Sequence, residues 1–145
     1  MTLVDENRAL TLTKAIASAS STEIAGGSGA NSIVGAAMLG VRTAYLGLVA
    51  NDRMGRYFID GVKGAGVSNN VPAAEEGLAT ARCLIMVTPD GERSMSTFLK
   101  ASTDFSSLQL DVDAIEGSKL IYLEGYLFDC EKAKIAFVKA SEIAV

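Results

Sequence analysis

Apolar residues return along this chain with two rhythms, and the change of rhythm marks the elements. Over 5–19, DENRALTLTKAIASA, the residues Leu10, Leu12, Ile16 and Ala17 recur at mixed helical spacing. Asp5 and Glu6 lead them, acids that suit the positive end of a helix dipole, so the pattern predicts a helix. TEIA at 22–25 reads as a short strand running into glycines. NSIVGAAMLG at 31–40 predicts a tightly packed helix through Ile33, Val34, Ala37 and Met38, with Gly40 suited to its C-terminal end. RTAYLGLVA at 42–50 is a continuous apolar run, the pattern of a buried strand. From 51 to 66 the helical rhythm returns: Met54, Phe58, Ile59 and Val62 share one face behind the capping residues Asn51 and Asp52.

The middle of the chain alternates. Residues 79–101, ATARCLIMVTPDGERSMSTFLKA, are two runs rich in strand formers around Pro89-Asp90-Gly91, which predicts a β-hairpin. DVDAIEGSK predicts a short helix, LIYLEGYLF (120–128) a buried strand, and 131–145 a final amphipathic helix. Helices alternating with apolar strands predict an α/β protein with a parallel sheet, interrupted by an antiparallel hairpin that projects as a flap. Only about three core strands are visible, fewer than the roughly 5–6 of an ordinary sheet, and the chain ends in mid-pattern on SEIAV. The expectation is one incomplete domain over 1–145.

Composition narrows the chemistry. With 49% hydrophobic and 21% charged residues and a net charge of −4, the chain is globular and lacks the basic surface that nucleic acid requires. There is no histidine, which removes Ser-His-Asp and Cys-His mechanisms. Cys83 and Cys130 stand far apart in apolar surroundings, as buried free thiols of a reducing compartment would, and too few for a metal site. The start, MTLVDENRAL, has no signal-peptide core, and no run approaches the roughly 18 apolar residues of a membrane span. A soluble cytoplasmic location is expected.

The glycine stretch EIAGGSGANSIVGAAMLG (23–40) carries the candidate chemistry. A glycine-rich turn entering a helix lets a ligand approach the backbone and meet free N–H groups at the positive end of the dipole. The side-chain amide of Asn31 both donates and accepts, which matches vicinal hydroxyls. The competing reading is purely structural: a tight turn with Asn31 as helix cap and small residues for close packing. Neither G-x-G-x-x-G nor the P-loop pattern is present.

Taken whole, GGSGANSIVGAAMLG resembles the N-terminal signature of the PfkB carbohydrate kinase, or ribokinase-like, family. TAYLGLVANDRMGRYF resembles the strand and helix start that follow it there, and GAGVSNN the next turn. ATARCLIMVTPDGERSMSTFLKAS is similar to the family's substrate-covering hairpin, and LIYLEGYLFD to a later core strand in adenosine kinase-like members. The resemblance implies part of a ribokinase-like three-layer α/β/α fold with a protruding hairpin lid at about 78–101. It implies phosphoryl transfer from ATP, with Mg²⁺, to a primary alcohol of a sugar or nucleoside. Members are about twice this length. Their first core strand, with a substrate-binding aspartate, would precede Met1, and the Gly-Ala-Gly-Asp motif with the catalytic base would follow Val145. No such motif occurs here, since GAG at 64–66 is followed by Val67.

On that resemblance no catalytic or metal-binding residue is expected within the chain, ATP is not expected to bind it tightly, and the chain alone is expected to be inactive. Gly27 and Ser28 would approach the substrate, and Asn31 would bind its hydroxyls. Arg93 would lie near substrate or phosphate, or else be a solvated turn residue paired with Asp90 or Glu92. Met95 would be an apolar wall of the site, or hairpin core. Tyr126 and Leu127 would line the pocket beyond a strand end, or pack there; Leu3 would touch the lid from its other side. Asp52 reads as a helix cap, and Glu124 as a half-buried carboxylate without an assigned partner. A different class of function, a noncatalytic sugar- or nucleoside-binding module that dimerises through the lid or an exposed sheet edge, is the alternative.

Overall fold

Aspartate caps begin three of the α-helices of this chain, at Asp5, Asp52 and Asp111, as a computed structural model that describes residues 1–74 and 76–144 shows. A short strand β1 (Thr2–Leu3) leads to α1 (Glu6–Ala15), whose N-cap Asp5 accepts a hydrogen bond from Arg8 N at 2.8 Å. Helix α2 (Ser28–Met38) starts three residues earlier than its apolar pattern predicts. It closes as expected around Gly40, which takes φ +87° while Val41 N donates to Ala36 O, a Schellman ending. After β2 (Ala44–Tyr45) comes α3 (Arg53–Gly64), capped by Asp52 through Gly55 N at 2.7 Å. Its predicted apolar face turns inward and Val62 is fully buried, which stabilises by about 1.5–3 kcal/mol. The strand β3 (Ser68–Asn69) then pairs parallel with β2, completing a βαβ unit, and a further parallel bridge joins Val49 to Ala73.

The hairpin forms where the turn chemistry places it. Strands β4 (Arg82–Val87) and β5 (Arg93–Phe98) pair antiparallel around Thr88–Glu92, with Gly91 at φ +86°. β1 adds parallel to the outer side of β5, giving a three-stranded sheet in the order β1-β5-β4. Register puts Leu3, Thr97, Met95, Arg93, Cys83, Ile85 and Val87 on one face. Phe98, Leu84 and Met86 lie on the other, and α1 packs against β4 and β5. The last part of the chain is helical: α4 (Lys100–Thr103), a 3₁₀ turn at Ser107–Gln109, α5 (Val112–Glu116), a 3₁₀ turn at Gly125–Leu127, and α6 (Glu131–Ile143). Small residues Ala133, Ala136 and Ala140 form the buried stripe of α6, and Leu48, Phe105 and Ala136 meet in the core. Val145, the end of the helix expected over 131–145, lies outside the described residues.

Four expectations are corrected. Residues 22–25 and 120–128, expected as two strands, join no ladder among the described residues, and Gly125–Leu127 of the second form a 3₁₀ turn; Leu120 is 80% exposed. Of the strand expected over 42–50, only Ala44–Tyr45 and the bridge at Val49 pair; between them the Tyr45 ring folds along Gly47, where a Cβ would lie 2.8 Å from it. Neither cysteine is buried as expected: Cys83 is exposed on the open sheet face, where it accepts a hydrogen bond from the Thr97 hydroxyl, and Cys130 is half-buried. Leu3 meets the hairpin along its β5 edge, beside Thr97.

Candidate functional site

The N-cap of α2 is Gly27, not Asn31, and its φ of +107° is a conformation that favours glycine. Gly27 has no side chain to turn back onto the helix. The first intrahelical bond runs from Asn31 N to Gly27 O at 2.8 Å, which leaves the N–H groups of Ser28, Gly29 and Ala30 without an intrahelical acceptor. Asn31 sits one turn in, exposed, with its amide free of any cap role. A side-chain-free cap position, N–H groups without an intrahelical acceptor and an exposed amide therefore stand together at one helix end.

A polar and aromatic wall stands against that end. Glu124 and the Tyr45 ring both reach Gly29: a Cβ there would meet Glu124 Oε2 at 3.7 Å and Tyr45 Cε2 at 3.9 Å. The Tyr122 hydroxyl donates to Glu124 Oε2 at 3.1 Å, which gives Glu124 its partner. That bond and the carboxylate charge push the Tyr122 phenol up, with the Ser32 hydroxyl of α2 opposing and Tyr126 adding to the rise. Burial, and then the charge of Glu124, push Tyr45 up as well. Tyr45 in turn packs on Phe58 of α3, ring centroids 5.5 Å apart.

Of the expected site residues, Gly27, Ser28 and Asn31 come together at the start of α2, and the exposed Tyr126 follows Glu124 on the 3₁₀ turn. Leu127, on the same turn, packs instead against the core of Leu48, Phe105 and Ala136. Arg93 and Met95 stand apart on the hairpin. Arg93 is exposed and, among the described residues, pairs with neither Asp90 nor Glu92; Asp90 is engaged by the Thr88 hydroxyl instead. Met95 lies opposite Ile85 on the face shared with Val87, which are 50% and 63% exposed. A groove of about 520 Å³ between β1, α1 and α4 is lined by Leu3, Asp5, Glu6 and Lys100 and includes none of the glycine stretch.

Two contacts were not anticipated. Arg53 and Tyr57, one turn apart on α3, both hold Glu23 just ahead of the glycines. The available signal was their i, i+4 spacing in NDRMGRYFIDG, which continues to Gly61; the partner, 30 residues away, has no local signature. Asp52 is also more than a cap, since it holds Thr80 at the base of the hairpin. Among the described residues no three His, Cys, Asp or Glu side chains gather as a metal cluster would, and no helix is long and apolar enough to cross a membrane.

Known proteins share this fold. A crystal structure of a probable sugar kinase from Rhizobium etli superposes with a TM-score of 0.90 at 36% identity, over 99% of this chain and 43% of that one. The adenosine kinase from Sinorhizobium meliloti does so with the same score at 39% identity and the same coverage. In sequence, the probable chloroplastic fructokinase-6 of Arabidopsis thaliana is 30% identical over 121 residues, 82% of this chain and 32% of that protein. The chain thus spans about a third to somewhat under half the length of these relatives. Its mixed α/β architecture is that of part of the ribokinase-like fold. The profile of the pfkB family of carbohydrate kinases matches residues 3–144, and the chain belongs to that family.

Proposed function

We propose that this chain is the acceptor-binding part of an ATP-dependent kinase that phosphorylates a primary alcohol of a sugar or nucleoside. The observation that carries the reading is the start of α2. Uncapped N–H groups at Ser28–Ala30 and the exposed amide of Asn31 lie beside the Glu124–Tyr122 wall, a set of donors and acceptors suited to a polyhydroxylated molecule. Family membership and the sugar and adenosine kinases it superposes on support it. In this reading residues 1–145 are one incomplete domain acting in the cytoplasm, the hairpin is its lid, and Arg93 and Met95 reach the acceptor when the lid lies over it.

The Gly-Ala-Gly-Asp that the family resemblance calls for beside the nucleotide does not occur in the sequence, and Mg²⁺ would be held largely by water and nucleotide phosphates. The nucleotide, its metal and the proton-accepting base are assigned to sequence outside these residues. What this chain does in the reaction is bind and orient. Gly27 lets the acceptor approach the backbone, Asn31 fixes two hydroxyls, and Tyr126 borders the opening. Holding the alcohol in line with a phosphoryl donor is a large share of the catalysis such transfers need.

The test is a titration of the ¹⁵N-labelled chain with adenosine and, separately, with fructose. The expected result is shifts confined to Gly27–Ser32 and Tyr122–Tyr126 with one of the two; no response to either at millimolar concentration overturns the reading. Incubation with ATP, Mg²⁺ and the same acceptors should give no phosphorylated product, and turnover would show that the base lies inside the chain after all.

A second reading, a noncatalytic module that self-associates, draws on the sheet face of Leu3, Ile85, Val87 and Met95. Its apolar side chains are turned to water rather than toward α1. A molar mass that stays monomeric across a hundredfold dilution series in light scattering would remove it.

A further inference from the structure

We infer that Arg53 and Tyr57 are positioning residues for the acceptor loop, and that the first turn of α3 sets the distance between that loop and the hairpin. The inference rests on the proposed function. Residues 20–27 belong to no strand and no helix, so nothing regular fixes the path by which the chain reaches Gly27. Their anchorage is lateral and comes from one stripe of α3. Arg53 Nη1 and Nη2 each donate to one carboxylate oxygen of Glu23 at 2.6 Å, and the Tyr57 hydroxyl donates to the Glu23 carbonyl oxygen at 2.7 Å. One turn further on, Gly61 lets the loop pass so close that a Cβ there would stand 2.9 Å from Ala25 Cβ.

The form of these contacts says what they do. Arg53 and Glu23 are 65% and 44% exposed, so the pair adds little to global stability. A two-pronged guanidinium–carboxylate contact does fix orientation, and a third bond to the same residue's backbone removes the remaining rotation. Glu23 is thereby held at both side chain and main chain, four residues before the uncapped Gly27. On the other side of the site, Asp52 holds Thr80 N and Oγ1, two residues before β4 begins. The N-cap of α3, Asp52, and its first residue, Arg53, thus fasten the hairpin base and the glycine loop to one rigid turn.

The test uses the 145-residue chain with Arg53→Lys, Tyr57→Phe and the double variant, and Lys63→Gln as control. Backbone ¹⁵N order parameters over 20–31, the thermal midpoint and the affinity for adenosine and fructose are measured together. Lys keeps the charge without the fork and Phe keeps the ring without the hydroxyl, so both lose the clamp and neither should unfold the chain. The expected result is a fall of the order parameters over 20–27 in the double variant, from the rigid range of about 0.85 toward about 0.6, with those of α6 and the midpoint unchanged. Affinity for whichever acceptor the parent chain binds should fall in parallel. Unaltered order parameters over 20–27 overturn the clamp. Lower order parameters with unaltered affinity overturn the positioning role. A parent chain that binds neither acceptor counts against the proposed function, and the order parameters then decide the clamp by themselves.

Discussion

Asp52 holds Thr80 with both of its carboxylate oxygens: Oδ2 accepts from Thr80 N at 2.9 Å and Oδ1 from the Thr80 hydroxyl at 2.7 Å. Thr80 is buried, and its hydroxyl oxygen also accepts from Ala50 N at 3.0 Å. Three stretches of chain therefore meet at one threonine. Thr80→Val should lower stability by about 1–3 kcal/mol, because it leaves Ala50 N without its partner and takes one of two donors from Asp52 Oδ1, while Thr80→Ser should recover most of the loss. Denaturant melts of the two variants check this.

The same carboxylate sets an acid limit. Burial pushes Asp52 up, but the N–H groups of Thr80 and Gly55, the Thr80 hydroxyl and the charge of Arg56 outweigh it, so Asp52 titrates below the usual aspartate range. Its folded state thus binds a proton less readily than the unfolded chain. The stability it contributes is fully present above the ordinary aspartate value and is lost as pH falls through the lowered one. Asp52→Asn should flatten the acid limb of a stability–pH curve, and an unchanged limb would refute the assignment.

An alkaline limb is expected for the opposite reason. Burial and Glu124 raise Tyr45, and the bond to Glu124 raises Tyr122, above the ordinary value of 10.0. Stability from these phenols is complete below that value and is lost as pH climbs from it through the raised ones. Ultraviolet titration at the phenolate band should show two late tyrosines, and Tyr122→Phe should remove one of them.

Two helical glycines should respond in opposite directions to alanine. At Gly55 a Cβ would lie 2.1 Å from Ala50 O and 3.0 Å from Thr80 Oγ1, so Gly55→Ala forces backbone to move and should destabilise by about 1–3 kcal/mol. Gly35, inside α2, has open space at its Cβ position, and Gly35→Ala should stabilise by about 0.5–1 kcal/mol through reduced freedom of the unfolded chain. Thermal melts separate the two.

At the site itself, Asn31→Ala should weaken acceptor binding about tenfold, the loss of one good hydrogen-bonding group, and leave the melting temperature within about 2 °C. Gly27→Ala should do both kinds of damage, since its φ of +107° strains any residue with a Cβ. Calorimetric titration beside thermal melts distinguishes binding loss from unfolding.

What was legible in the sequence is what depends on neighbours in sequence. The cap at Asp52, the apolar face of α3, the Schellman glycine at Gly40 and the Pro89-Asp90-Gly91 turn are local devices, and the elements they mark are present. A strand is different because it exists only as a pair. The runs 22–25 and 120–123 have strand-like composition but no partner, and the 57% exposure of Tyr122 shows how little of that apolar run is buried. The candidate site was legible in part. Gly27, Ser28 and Asn31 announce themselves in one signature, but Asn31 is not the cap, and Leu127 turns into the core. The contacts of Glu23 with Arg53 and of Asp52 with Thr80 join residues about thirty apart, and no spacing rule links them.

Thr2 pairs with Ser96 in the middle of β5, far away in sequence. The two pairings of this sheet therefore differ in kind. The hairpin closes over a five-residue turn, Thr88–Glu92, whereas β1 reaches β5 across a wide loop and sets a two-residue ladder against that closure entropy. On loop entropy the β1–β5 edge is the costlier of the two to close, and the hairpin does not depend on it.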